Sequence, residues 1–401
     1  MNLKLEHYSK PLNGNIQITG SKSESNRLLI LKQFFSNLTI ENLGNSDDAN
    51  YMQKALASEE EVIDISHAGT AMRFLTAYFA VADGRETVLT GSKRMKERPI
   101  KILVDALRSL GANISYELNE GYPPIRIQGN KLSGGKVVID GGVSSQYVSA
   151  LLLIAPSLEN GLELEFEGKI TSVPYIKMTL GLLASIGVKV EWTDSTIFVQ
   201  PQKEIEDTTA IVESDWSSAS YYYSLVALSE EATITISSYK EHSLQGDSSL
   251  IQFYKELGVT STFNETSLTL KKELPCKNHI EFDLVSAPDI AQTIAVTCFG
   301  LGISCDLTGL HTLKIKETDR LEALKSELTK LGADISVTNK SLHLKASTDI
   351  NKDVLIKTFD DHRMAMAFAP LLLKTSLEIE DANVVSKSYP DFWKDIESLT
   401  K

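Results

Sequence analysis

Lys22, Arg27, Arg73 and Arg363 all fall where a strand-like stretch gives way, through small polar residues, to an apolar helix. Unpaired backbone N–H groups and the helix dipole make such a start a ready anion site. Guanidinium groups there add bidentate donors that suit phosphate or carboxylate. Further cations sit at junctions of the same kind: Arg94, Lys96 and Arg98 in RMKERP, Lys316 and Arg320 in KETDR, His362 beside Arg363 in DDHRMA. A cation at a helix start is electrostatically disfavoured, so DDHRMA calls for an anionic partner. SSQY supplies Ser144, Ser145 and Gln146, and SAPDIAQT supplies Asp289 after a proline. Two acids, Asp289 and Glu317, thus stand among arginines without a cysteine or metal cluster. That combination suggests proton transfers on a polyanionic substrate.

Taken singly, each segment has a plainer reading. GSKSESNR at Gly20 could be a helix capped by Ser21 or Ser23 with a solvated Lys22; it is no P-loop, because five residues rather than four separate Gly14 from Gly20. RMKERP could be a solvated basic loop, and Glu317 with Arg320 a surface i,i+3 pair. SSQY and Asp289 could simply cap their helices. Position is what links them. Six helix openings, marked by Ser23, Thr70, Ser145, Ser217, Asp289 and His362, recur at spacings of 47, 75, 72, 72 and 73 residues. A fixed period means one supersecondary unit copied along the chain. Between the openings, helices end in a Leu/Ile-Gly step at Gly111, Gly187, Gly258 and Gly332, each followed by an alternating strand, a turn and a second strand. The sequence therefore predicts an α/β protein of six βαβαββ units, the first shortened by about 25 residues. The equivalent positions of the charged segments allow them to face one cleft.

At 401 residues two domains of about 200 are expected. A hydrophobic fraction of 42% with 23% charged residues suits a globular protein, and a net charge of −13 argues against nucleic-acid or anionic-membrane partners. MNLKLEHYSK lacks the apolar core of a signal peptide, and no stretch is long enough to span a bilayer. Three cysteines, Cys276, Cys298 and Cys305, without metal-ligand spacing fit a reducing cytoplasm.

The segments GSKSESNR, AGTAMR, RMKERP, SSQ, SDWSSAS, APD, KETDRLEAL, DDHRMAMAF and SKSYPDF, in this order from about Leu3 to Trp393, resemble the 5-enolpyruvylshikimate-3-phosphate synthases. The resemblance implies the two-domain enolpyruvyl-transferase fold, three units per domain around buried parallel helices. It places residues 1–19 with 214–401 in one domain, 20–213 in the other, and the active site in the cleft between them. The implied reaction moves the enolpyruvyl group of phosphoenolpyruvate to the 5-hydroxyl of shikimate 3-phosphate and releases phosphate. Both partners are small molecules; no cofactor or metal is implied, and a monomer is expected. Lys22, Ser23, Arg27, Ser144, Ser145, Ser172, Asp289 and Lys316 would hold shikimate 3-phosphate, with Tyr175 against its ring. Lys22, Gly69, Arg94, Gln146, Arg320, Arg363 and Lys387 would surround phosphoenolpyruvate, supported by Thr70, Arg73 and His362. Asp289 and Glu317 would move the protons, with Lys22 assisting. The resemblance departs at His67, Phe74 and Thr312, and it also implies a target of glyphosate, with Gly69 leaving room for that ligand. Two rivals are a UDP-N-acetylglucosamine enolpyruvyl transferase, disfavoured because every cysteine lies after residue 270, and a non-catalytic anion or RNA-end binding module.

Overall fold

A computed structural model describes residues 1–170, 173–273 and 276–401. The chain divides into two compact units, one formed by residues 1–19 with 213–401, the other by 20–212; Glu213 goes with the former. Each has its own apolar core.

The repeat is written most clearly in the sheets. In residues 20–212, Val62–Asp64 runs parallel to Glu86–Thr90, which pairs antiparallel with Ile125–Gln128, itself the partner of Asn113–Tyr116. Gly135–Asp140, Leu162–Glu167, Thr196–Val199 and Val190–Thr193 repeat that order. In the other unit the order returns in Leu12–Ile16, Ala232–Ser237, Ser267–Lys272 and Val259–Asn264. It returns again in His279–Asp283, Ser304–Thr308, Leu342–Leu344 and Ile335–Val337. The inner strands alternate buried and outward residues, as ATITIS does in Ala232–Ser237, because one face must meet the helices. The shortened first copy shows its loss directly: among the described residues Leu38–Glu41 has a single partner, the parallel strand Thr208–Ile211. The last copy pairs Val354–Ile356 with Leu377–Ile379, and Leu3–Leu5 lies antiparallel to the latter where a hairpin would otherwise fall.

The strands that open the first and fourth copies are exchanged. Leu12–Ile16, which precedes the helix Lys22–Phe34, pairs with Ala232–Ser237, while Thr208–Ile211, which precedes Trp216–Leu228, pairs with Leu38–Glu41. The chain consequently passes between the units twice, at residues 19–20 and 212–213.

Every residue of the helix Trp216–Leu228 is buried, and its small hydroxyls are what make that tolerable. Ser220 Oγ lies 3.0 Å from Thr293 Oγ1, and Thr297 Oγ1 donates to Ser224 Oγ at 2.7 Å, stitching this helix to Ala291–Leu301. Lys22–Phe34, Gly69–Val81 and Ser145–Ile154 pack on one another in the same way in the other unit. At Gly111, Gly187, Gly258 and Gly332 φ is 99°, 91°, 85° and 105°, so the Leu/Ile-Gly steps do end helices in the left-handed region.

Candidate active site

In the unit holding residues 213–401, the turn Pro288–Ile290 and the starts of Arg320–Lys330 and His362–Phe368 come to one end. Asp289 does not cap its helix; its carboxylate faces three cations. Lys316 Nζ lies 3.2 Å away, Arg320 Nη1 2.9 Å and Arg363 Nη2 3.4 Å. Burial pushes the Asp289 carboxyl up, but Lys316, Arg363 and Arg320 outweigh it and hold it well below the usual carboxylate range.

Arg320 is the pivot. Its side chain is 2% exposed, so the Glu317–Arg320 pair at 2.8 Å is not the surface pair its spacing allowed. Nε and Nη2 donate to Asp361 at 2.7 and 3.3 Å, Nη1 donates to Asp289 and Nη2 to Glu317. Burial depresses the guanidinium and the three carboxylates more than restore it, so it stays charged. Such a buried network gives little net stability, but it sets two acids in fixed directions. Glu317 remains 39% exposed and thus open to reactants.

The anionic partner that DDHRMA calls for is the Asp289 carboxylate, 3.4 Å from Arg363 Nη2. Arg363 Nη1 donates to the Asp289 carbonyl at 3.2 Å, and its backbone N–H to Asp361 Oδ1 at 2.9 Å. Phe359 and Asp360, just before, take φ of 54° and 57°, a strained pair of left-handed residues that Lys387 fastens by donating to the Asp360 carbonyl and Oδ1, each at 2.7 Å. His362 is buried at the same start. Asp247 is a group the sequence reading passed over. Burial, with Asp289 adding to it, pushes its carboxyl up to about 6 against the pull of Arg363 and of the Ser217 hydroxyl that donates to it.

A second cationic group lies within residues 20–212. Arg27 is buried, and among the described residues its hydrogen-bond acceptors are neutral: Thr179 Oγ1 at 2.7 Å, the Ser23 carbonyl at 2.7 Å, Ser149 Oγ at 3.0 Å and the Tyr175 carbonyl at 3.4 Å. Phe74, one of the departures, lies beneath it, 5.3 Å from ring centre to guanidinium carbon. Burial pulls Arg27 down to about 10, outweighing the opposing effect of nearby Tyr175 and Glu24. Lys22 and Ser23 open the same helix, half-buried, but Ser21 makes no side-chain cap there. Ser144 does cap, accepting from the Gln146 N–H at 3.3 Å; Ser145 begins that helix, and Gln146 Nε2 donates to Thr70 Oγ1 at 3.3 Å. Ser172 lies outside the described residues.

The two outer arginines of RMKERP have different surroundings. Arg94 is 72% exposed and pairs with Glu97 at 3.2 Å. Arg98 is the residue over the helix start at Gly69: a Cβ on Gly69 would lie 2.4 Å from Arg98 Nη1. Arg73 braces this loop from beneath, donating to the Pro99 carbonyl at 2.9 Å and the Gly69 carbonyl at 3.2 Å. Burial first, then the nearby Arg98 charge, bring it down to about 10. His67, another departure, stands two residues before Gly69 with Nε2 3.7 Å from Asp47 Oδ2. Nothing in the string RMKERP reveals which of its arginines lies against Gly69.

Helix starts crowded with guanidinium groups, two acids locked among them, and a βαβαββ unit repeated through two bodies define the enolpyruvyl-transferase class of fold. The family model for EPSP synthase (3-phosphoshikimate 1-carboxyvinyltransferase) matches residues 52–396, and the chain belongs to that family. It is 47% identical over 390 residues to the 3-phosphoshikimate 1-carboxyvinyltransferase of Bacteroides fragilis strain YCH46, across 96% of this chain and 95% of that one. The corresponding protein of Histophilus somni strain 2336 is 36% identical over 424 residues, with 97% of each chain covered. Among solved structures, EPSP synthase from Acinetobacter baumannii superposes with a TM-score of 0.81 over 100% of this chain and 98% of that one; at 19% identity this speaks for the fold. Among the described residues, no helix is long and apolar enough to cross a membrane.

Proposed function

We infer that the chain transfers the enolpyruvyl group of phosphoenolpyruvate to the 5-hydroxyl of shikimate 3-phosphate with release of phosphate, a step of aromatic amino acid biosynthesis. The observation that carries this reading, beside family membership, is Asp289 held by Lys316, Arg320 and Arg363 with Glu317 on the same guanidinium.

The chemistry is addition followed by elimination. The 5-hydroxyl oxygen bonds to C2 of phosphoenolpyruvate while C3 gains a proton; the tetrahedral intermediate then loses a methyl proton and phosphate, restoring the double bond. Asp289 takes the hydroxyl proton and Glu317 serves carbon C3, with Lys22 assisting. A carboxylate held well below its usual range is a weak base. Lys316 and Arg363 are the cations that anionic substrates would draw toward themselves, so substrate arrival strips Asp289 of counter-charge and raises its basicity. The base is thus armed by binding. Arg27 receives shikimate 3-phosphate together with Ser23, Ser144, Ser145, Ser172, Tyr175 and Lys316. Gly69, Arg94, Gln146, Arg363 and Lys387 receive phosphoenolpyruvate, with Arg98 beside Gly69. Arg320 sets both acids from behind, and Thr70, Arg73 and His362 support the helix starts. The chain acts, on this reading, as a cytoplasmic monomer that needs no cofactor.

Phosphate release from phosphoenolpyruvate, measured with chelator present, tests this. Release that depends on shikimate 3-phosphate supports it. Release driven instead by UDP-N-acetylglucosamine, or by neither acceptor, overturns it.

A further inference from the structure

A separate set of titratable side chains stands on the outer face of the sheet built from His279–Asp283, Ser304–Thr308, Leu342–Leu344 and Ile335–Val337. Strand register lines it up. Glu281 lies opposite Asp306, and Asp306 opposite His343, giving a row across three strands. His279 precedes Glu281 by two residues and so shares its face. Among the described residues, none of their contacts reaches Asp289, Lys316, Arg320 or Arg363.

The ring nitrogens of His279 have different surroundings. Nδ1 lies 2.8 Å from Ser304 Oγ, while Nε2 points between Glu281 Oε1 at 3.4 Å and Asp306 Oδ2 at 3.6 Å. In the tautomer whose Nδ1–H donates to Ser304, the Nε2 lone pair is aimed at two carboxylates. Outer hydrogen bonds of this kind fix histidines that bind metal. One nitrogen and two carboxylate oxygens fall within 4.8 Å of one another. A tetrahedral ion with bonds of about 2.0–2.2 Å has ligand–ligand edges of about 3.3–3.6 Å, which the two measured separations match. His343 Nδ1 bonds the other oxygen of Asp306 and has its own Nε2 2.9 Å from Ser341 Oγ, so the carboxylate is steadied from its far side.

We propose that His279, Glu281 and Asp306 form a binding site for a divalent cation of the zinc class, with Ser304 and His343 holding the ligands in place and water completing the shell. The neutral-nitrogen and carboxylate donor set suits Zn²⁺ or Co²⁺ better than Mg²⁺. The sequence conceals the site, since H-x-E is an alternating strand pattern and Asp306 comes from the neighbouring strand. It lies outside the transfer chemistry, so turnover does not require it.

The test is titration of chelator-stripped protein with Zn²⁺ by calorimetry, with Co²⁺ absorption as the reporter of coordination. One equivalent binding in the micromolar range is expected, weakened at least about tenfold in His279→Ala and about tenfold in Ser304→Ala. Phosphate-release turnover in chelator should be the same for all three proteins. His279 is exposed, and thermal melts without metal verify that His279→Ala and Ser304→Ala keep their fold. Binding only at millimolar Zn²⁺, or affinity unchanged in both variants, overturns the proposal and leaves the cluster an ion pair of a protonated histidine.

Discussion

Asp289 and Glu317 share one guanidinium yet differ in exposure, and that difference separates their tests. Glu317→Gln keeps the hydrogen bond from Arg320 but cannot carry a proton, so kcat should fall by about 10²–10⁴-fold while shikimate 3-phosphate affinity stays within a few-fold. A near-normal kcat would remove Glu317 from the reaction. For phosphoenolpyruvate, Arg98→Ala should raise KM well beyond the effect of Arg94→Ala, because Arg98 covers the Gly69 helix start and Arg94 faces solvent. The reverse order in steady-state kinetics would give Arg94 the larger share of that binding. Asp247 makes a prediction in pH. Its folded pKa, about 6, lies above the unfolded value, so its contribution is full at acid pH and is lost as pH rises from about 4 through 6. Asp247→Asn should therefore melt higher than the parent at pH 7.5, and the gap should close near pH 4. An equal gap at both pH values would show that charge is not the cause.

Helix starts need anchors before they can present cations. Glu213 anchors the most buried one: Oε1 accepts from Trp216 Nε1 at 2.7 Å and from the Lys240 N–H at 2.9 Å, and Oε2 accepts from Ser243 Oγ at 2.6 Å. Glu213→Ala strands the buried Trp216 Nε1 donor, at a cost of about 1–3 kcal/mol, and chemical denaturation should register a loss in that range or above. At this scale the sequence was most legible. Openings and Leu/Ile-Gly steps repeat in the chain, so their helices and strands could be placed by period. Less legible were contacts between distant elements. Asp361 on Arg320 spans 41 residues, and Asp247 beside Asp289 joins two different copies. The two adjacent acids of DDHRMA hint at a buried partner without naming it. Ser21 illustrates the opposite error, a residue of the right type at the right place whose hydroxyl caps nothing.

For the whole molecule, the two separate cores mean that residues 20–212 carry what they need to fold alone. Expressed by itself, that segment should give a cooperative melt but no phosphate release; a molten profile would show that it leans on the rest of the chain. Its ends fit this. A Cβ on Gly20 would lie 2.7 Å from the Val212 side chain, so the segment begins and finishes at neighbouring points. On the other side of the junction, Ser214 Oγ donates to the Ile18 carbonyl, keeping that pair of ends together as well. The exchanged strands Leu12–Ile16 and Thr208–Ile211 are the seam of this arrangement. One three-fold body is spliced into another at a single spot, like a cassette. A gene history of duplication followed by insertion would leave this seam, and a laboratory graft between relatives could reuse it by cutting at just two peptide bonds.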